Sequence, residues 1–272
     1  MKEKKYKLTD DTIMVDGHIL HRIEAVRDFA VDVKSGDKGG YVESEDNLSH
    51  EGTCWVYDDA MAYEESMVYD DAVLSDRAIL SGMAHAHEHS SIYDQSVVSG
   101  RAIIAGRSSV YGYAHVSGNV ILHNASCVYG YADISGDATL CDNCRVSGKA
   151  VVKGKSVLRG YTYISDNAIV DGESEVFGSI KIGGHVKILG RSVVSGNGCL
   201  SGNDIYNSCV VRDYNKYSQS SEIRVKSKDL NCSVINNNDV LDNCVIIGQA
   251  DGFDKEEFLR KFNSPFLRTL KH

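Results

Sequence analysis

The sequence predicts an all-β protein: a three-sided parallel β-helix with an N-terminal β cap and a short C-terminal helix. The first observation is a six-residue repeat that runs from Val56 to Ile205, through 25 hexads without insertion or deletion. The second is that residue types at position 2 of the hexad recur every 18 residues. A fixed short period is typical of a solenoid, and a period of six is typical of a parallel β-helix.

The residue preferences within the hexad assign an interior, an exterior and a corner. Position 1 is Val, Ile or Leu in 23 of 25 repeats, and position 5 is Ala or Ser in 18. These positions lie two residues apart along a strand, so they share one face, which we predict to be the interior. Positions 6 and 2 then point outward. Position 3 is Gly, Asp, Glu or Asn in every repeat, as a tight corner with positive φ requires.

The 18-residue recurrence predicts three sides for each coil. One series at position 2 is serine and another is tyrosine: Ser81, Ser99, Ser117 and Ser135; Tyr93, Tyr111 and Tyr129. Three hexads per coil stack each series in a ladder on its own side of a triangular prism. The 25 hexads make about eight coils, roughly 40 Å long at ~4.8 Å per stacked strand.

Both ends of the prism are predicted to be capped. Residues 5–26 alternate apolar and polar side chains around Asp16-Gly17, a strong hairpin signal, so we expect strands near 5–15 and 18–26. This divides the chain into a β-hairpin cap at 1–52 and a β-helix at 53–205. An open end would expose strand edges, which the cap covers.

The segment 206–272 is predicted to hold an irregular stretch, a last partial coil and a helix. Asp254 and Glu257 form a capping-box pattern, Phe258 and Phe262 share a helical face, and Ser264-Pro265 ends the helix. We interpret this helix as a lid on the last coil, with a partner-binding helix as the alternative.

The repeat resembles the left-handed β-helix of the hexapeptide-repeat, trimeric LpxA-like superfamily. The run Lys38-Gly-Gly-Tyr-Val-Glu-Ser-Glu-Asp-Asn-Leu-Ser-His-Glu-Gly-Thr-Cys-Trp-Val-Tyr-Asp-Asp-Ala60, followed by hexads, is similar to the YdcK-like proteins of bacteria and phages. These are often labelled transferases or polymer-forming cytoskeletal proteins. The superfamily's acyltransferases usually carry Gly at position 2 of the hexad, whereas here it stands at position 3, which leaves the handedness open.

The resemblance implies three classes of function. The first is a non-enzymatic scaffold or interaction protein, possibly phage-borne. The second is an acetyl- or acyltransferase, in which His115 or His123 is the candidate general base. The repeat contains no extruded loop to enclose an acyl donor, so the chain is more plausible as a non-enzyme without cofactors. The third is a protein that binds a nucleotide-like small molecule, whose identity the sequence does not indicate.

Composition excludes some partners. The net charge of −9 disfavours nucleic acid. No signal-peptide pattern follows Met1, and no apolar run is long enough to span a membrane, so we expect a cytoplasmic protein without membrane contact.

Two clusters suggest ligand sites. His85 and His87 face the same way and form a weak metal candidate, while Cys141 and Cys144 are expected on opposite sides of the strand, too far apart in direction to share a metal. The tyrosine ladder, extended at the adjoining corner by Tyr113 and Tyr131, is either a structural stack or a platform for a planar or sugar ligand.

One face is predicted to be an interface. Its outward positions carry aliphatic residues beside the serine ladder: Met61, Ile79 and Val97, with Ser81, Ser99 and Ser117. Exposed apolar strips usually mark an interface. Related prisms pack side by side, so we expect a homo-oligomer, a trimer before a dimer.

Overall fold

Parallel strands stacked 18 residues apart form a β-solenoid of about nine turns. The computed structural model describes residues 4–202, 205–207, 210–212, 224–227, 230–234, 240–242 and 245–247, with side chains for 4–196 and 199–202. Each regular coil contributes one short strand to each of three faces. We call these face 1 (containing Val98), face 2 (containing Ile104) and face 3 (containing Val110). The predicted parallel β-helix is confirmed.

The strands of each face pair in parallel register. On face 1 they are Lys38–Val42, Met61–Ala62, Ile79–Leu80, Val97–Val98, His115–Val116, Asp133–Ile134, Val151–Val152, Ile169–Val170, Lys187–Leu189, Ile205–Asn207 and Val240–Asp242. On face 2 they are Met67–Val68, His85–Ala86, Ile103–Ile104, Ile121–Leu122, Thr139–Leu140 and Val157–Leu158. On face 3 they are Trp55–Val56, Val73–Leu74, Ser91–Ile92, Ser109–Val110, Cys127–Val128, Arg145–Val146 and Tyr163–Ile164. Glu175–Ile182 and Val193–Leu200 run through the corner between faces 2 and 3 and serve both, and Val210–Arg212 and Val245–Ile247 continue the stack from Val193.

The interior follows the predicted register. Every position-1 side chain from Val56 to Leu200 is buried, and so are those at position 5 from Ala60 to Ser192. Backbone amides join the coils: the N–H of Ser99, for example, donates to the carbonyl of Val116 at 2.9 Å. Because the faces are closed by pairing along the axis, the apolar core is continuous from the cap to the last described side chains.

The corners have positive φ at position 3 in all 25 hexads, as predicted. Sequence reasoning did not anticipate why acids share this position with glycine. The carboxylate of Asp94 accepts the backbone N–H of Gly112 in the next coil at 3.0 Å, and Asp142 accepts that of Gly160 at 2.9 Å. An acid at position 3 therefore joins consecutive coils through a charge-assisted hydrogen bond. The signal was present, because Asp58, Asp76 and Asp94 recur 18 residues apart.

The N-terminal cap is the predicted hairpin. Strand β1 spans Tyr6–Val15 and strand β2 spans His18–Ala25, paired antiparallel across Asp16-Gly17. The turn residues have φ of 49° and 91°, as a two-residue hairpin loop requires. Strand β2 pairs antiparallel with β3 (Lys38–Val42), and β3 pairs in parallel with Met61–Ala62. The hairpin therefore extends the sheet of face 1 beyond the first coil, and parallel pairing already begins ahead of residue 53.

A buried lysine fastens the cap to the first coil. The Lys5 ammonium donates to the carbonyl of Cys54 at 2.8 Å and lies 3.1 Å from the Cys54 sulfur. Burial lowers the pKa of Lys5. Tyr6 packs nearby and its hydroxyl donates to the carbonyl of Leu48 at 2.7 Å, while Trp55 closes the end of the core. These contacts seal the interior.

The remaining elements lie at the two ends of the coil stack. A 3₁₀ turn, Glu45–Asn47, begins at Ser44 with reciprocal capping bonds between Ser44 and Asn47. Toward the C-terminus, Arg224–Ser227 pairs antiparallel with Leu230–Val234. The predicted helix at 254–262 lies outside the described residues.

Candidate interaction surfaces

The tyrosines of face 3 form a regular stack. The ring centroids of Tyr93 and Tyr111 are 4.8 Å apart at 3°, and those of Tyr111 and Tyr129 are 5.0 Å apart at 3°. Tyr113 and Tyr131 stack at 5.0 Å and 4° on the adjoining corner. This spacing is that of the coils, so position 2 of each coil supplies one ring. The predicted ladder brings all five tyrosines into two neighbouring columns.

The stacked rings offer a planar ligand little surface. Both faces of the Tyr111 ring are covered by its neighbours, so the ring edges point to solvent. Below the column, the Tyr129 hydroxyl lies 3.4 Å from that of Tyr163, which also accepts from Ser147 at 2.9 Å. These donors, first Ser147, lower the pKa of Tyr163. The geometry favours a structural stack, and ligand binding there stays a prediction.

The histidines at 85 and 87 contact an aromatic ring. His87 stacks on Tyr69 at 4.8 Å and 2°, and His85 meets the same ring edge-on at 5.9 Å. No three His, Cys, Asp or Glu side chains converge as metal ligands in the part of the chain that the structure describes. Stacking on Tyr69 gives His87 a structural role.

The two candidate bases lie on different faces. His115 is on face 1, where its Nδ1 lies 3.6 Å from an oxygen of Asp133; the two side chains are 49% and 52% exposed. His123 is on face 2, and its Nδ1 accepts the backbone N–H of Asn124 at 2.6 Å. A general base needs an oriented neighbour and a site that excludes water. His115 has the neighbour but lies on an open face.

Two surface grooves lie at corners. A groove of about 820 Å³ follows the corner between faces 2 and 3. It is lined by Asp70, Asp71, Glu88, His89, Gly106, Arg107, His123, Asn124, Ala125, Asp142 and Asn143. Two of its acids, Asp70 and Asp142, accept backbone N–H groups of the next coil and so belong to the corner scaffold. A second groove of about 560 Å³ lies between the hairpin and the corner that holds Glu64.

In that second groove the hairpin turn is tied to the first coils. His18 Nδ1 lies 2.9 Å from Glu43, and this hydrogen bond raises the pKa of His18 and lowers that of Glu43. The other Glu43 oxygen accepts the backbone N–H of Glu64 at 2.7 Å. The arrangement holds the cap in place through polar contacts.

The face predicted as an interface is partly used by the cap. Met61 and Ile79 pack around a cluster formed by Leu20, Tyr41 and Tyr63. Val97, Ser99 and Ser117 remain outward and half-buried, and Ser81 is buried. Further along, His115 and Asp133 interrupt the aliphatic strip. The use of face 1 by a partner stays a prediction.

Face 2 carries an apolar stripe that sequence reasoning missed. We call it the face-2 stripe: Met67, Ile103, Ile121 and Val157 at position 6, with Ala105 at position 2. Met67, Ile103 and Ile121 are 40%, 36% and 38% exposed, more than an ordinary half-buried strand position. The signal was the aliphatic series at position 6 with an 18-residue period. A flat stripe of this kind suits a second protein surface.

Cysteine chemistry finds little support on the solenoid. Cys54, Cys127, Cys141, Cys144 and Cys199 are free thiols. As predicted, Cys144 points inward and Cys141 outward. Burial raises the pKa of the Cys144 thiol to about 12, so it stays protonated and inert.

Within the described residues, no helix has the length and apolar character to cross a bilayer. Comparison with protein-family models finds no match, and comparison with curated proteins finds none either. The resemblance to YdcK-like proteins therefore stays a prediction.

Proposed function

We propose that this protein is a non-enzymatic, cytoplasmic β-solenoid that acts as a rigid scaffold through contacts between protein surfaces. The observation that carries the proposal is the unbroken six-residue register from Met61 to Leu200. Every hexad in that range spends its residues on one strand and one corner. No chain is left over to build a lid or a wall, which a site that excludes water needs.

Further observations support this proposal. Coil-to-coil backbone hydrogen bonds and stacked aromatic side chains give a stiff body with flat sides. The free thiols are consistent with a reducing compartment. The face-2 stripe supplies apolar surface for association.

The acyltransferase alternative is tested by ligand binding. We expect no heat of binding when acetyl-CoA is titrated into the protein at millimolar ligand concentration, and no thiol release with amine acceptors. The physical reason is that His115 and His123 lie on separate open faces rather than in one cleft. Saturable binding that His123→Ala or His115→Ala removes, with the melting temperature unchanged, would establish the transferase instead.

A further inference from the structure

Charge is distributed unevenly along the axis of the solenoid. Residues 55–142, which we call the acidic half, carry 12 acidic and 3 basic side chains; residues 143–200, the basic half, carry 4 acidic and 8 basic ones. The acids of the first are Asp58, Asp59, Glu64, Glu65, Asp70, Asp71, Asp76, Glu88, Asp94, Asp133, Asp137 and Asp142. The bases of the second are Arg145, Lys149, Lys153, Lys155, Arg159, Lys181, Lys187 and Arg191.

This asymmetry constrains how two copies can lie side by side. With parallel axes, each acidic half faces the other acidic half, and like charges across an interface oppose association. A closed trimer of side-by-side prisms is parallel, so the charge distribution disfavours the trimer that the resemblance implies. With antiparallel axes, each acidic half meets a basic half.

Face 2 is the side that fits such a contact. From Met67 to Val157 its outward strand positions hold no Asp, Glu, Lys or Arg. Ile103 and Ile121, in consecutive coils, lie at the centre of the face-2 stripe. Face 1 already contacts the cap through Met61 and Ile79, and face 3 presents serines and tyrosine edges.

One register of an antiparallel pair matches chemistry throughout. Place a twofold axis between Ile103 and Ile121, perpendicular to the solenoid and along the strands. Each position 6 then faces a position 6 of the second copy, so Ile103 meets Ile121 and Met67 meets Val157. The same operation sets Tyr69 against Arg159, a cation–π pair, and Glu65 against Lys155 at the rim. Glu65 and Lys155 are exposed corner residues at position 4.

We propose that two copies of this chain pack antiparallel through face 2, with the apolar stripe at the centre and the Glu65–Lys155 pair at each end. The inference rests on the proposed function as a scaffold and names its partner as a second copy. By twofold symmetry each of these contacts occurs twice, so a few residues control the association.

The test is a charge exchange at the rim, followed by sedimentation velocity of the full chain. Glu65→Lys alone and Lys155→Glu alone should each weaken dimerisation about tenfold, because each places like charges together twice. The double variant should restore the dissociation constant to within about threefold of wild type. Lys149→Glu, at position 4 of the corner between faces 3 and 1, is the matched control and should leave the dimer unchanged.

A zero-length carboxylate–amine cross-linker supplies the orientation. Glu65 and Lys155 lie five coils apart in one chain, ~24 Å at ~4.8 Å per coil, so a cross-link between them must join two copies. We expect this cross-link in the dimer band. A monomer, or a dimer that neither single exchange weakens and that gives no such cross-link, overturns the antiparallel pair. Since none of these outcomes involves acetyl-CoA, the scaffold proposal is judged separately.

Discussion

Val116→Asp should leave no folded protein under conditions where the wild type is stable. Val116 is fully buried on the inner side of face 1, between Val98 and Ile134 of the adjoining coils. The substitution places a carboxylate in an interior that offers no cation, at a cost of at least about 4 kcal/mol. A domain of this kind is stable by only about 5–15 kcal/mol, so most of its stability is lost. Circular dichroism and thermal melting of the purified variant measure the effect.

The control lies three residues away. Asn119 occupies position 4 of the next corner, where it is exposed and donates to Asp137 at 2.7 Å. Asn119→Ser removes one exposed hydrogen bond, which should change stability by less than about 1 kcal/mol. If the two variants melt alike, the assignment of position 1 to the interior is wrong.

Gly118→Val should be the second most damaging change. Gly118 has a φ of 84°, and a Cβ there would lie 2.6 Å from the carbonyl oxygen and 2.9 Å from the nitrogen of Gly136 in the next coil. The left-handed conformation and the backbone contact together should cost about 3 kcal/mol or more. Chemical denaturation gives the free energy of unfolding.

Two companions separate the causes. Gly36 has a φ of 93° with no atom within 4 Å of a built Cβ, so Gly36→Val isolates the conformational cost of about 1–2 kcal/mol. Gly118→Asp should be milder than Gly118→Val, because its carboxylate can accept the Gly136 N–H as Asp94 accepts that of Gly112. Equal losses at positions 118 and 36 would contradict the account of corner stacking.

Local periodicity explains how much of the fold was predictable. The inward Val116, the corner Gly118 and the Asp16-Gly17 turn all depend on neighbours within six residues, so their patterns are visible in the chain. Contacts between the cap and the coils are not local. Nothing near Lys5 indicates that its ammonium binds Cys54, or that Met61 packs beside Leu20 from the hairpin.

The surfaces were less predictable than the core for a physical reason. A column of tyrosines is visible in the sequence, but whether the faces of Tyr111 are open depends on side-chain orientation. Similarly, Ile79 and Ile103 are both outward aliphatics at position 6, and only the placement of the hairpin distinguishes a face that the cap contacts from one that stays open.

The mass of the protein in solution tests most directly whether a flat side face carries association. We expect light scattering at micromolar concentration to give twice the chain mass of 29.8 kDa for the wild type. Ile103→Lys combined with Ile121→Lys should reduce this to one chain mass, because four ammonium groups then meet at the centre of the face-2 contact. The matched pair Ile79→Lys and Val97→Lys, on face 1, should leave the dimer intact. A wild-type mass of one chain, or dissociation by the face-1 pair and not by the face-2 pair, would contradict the account.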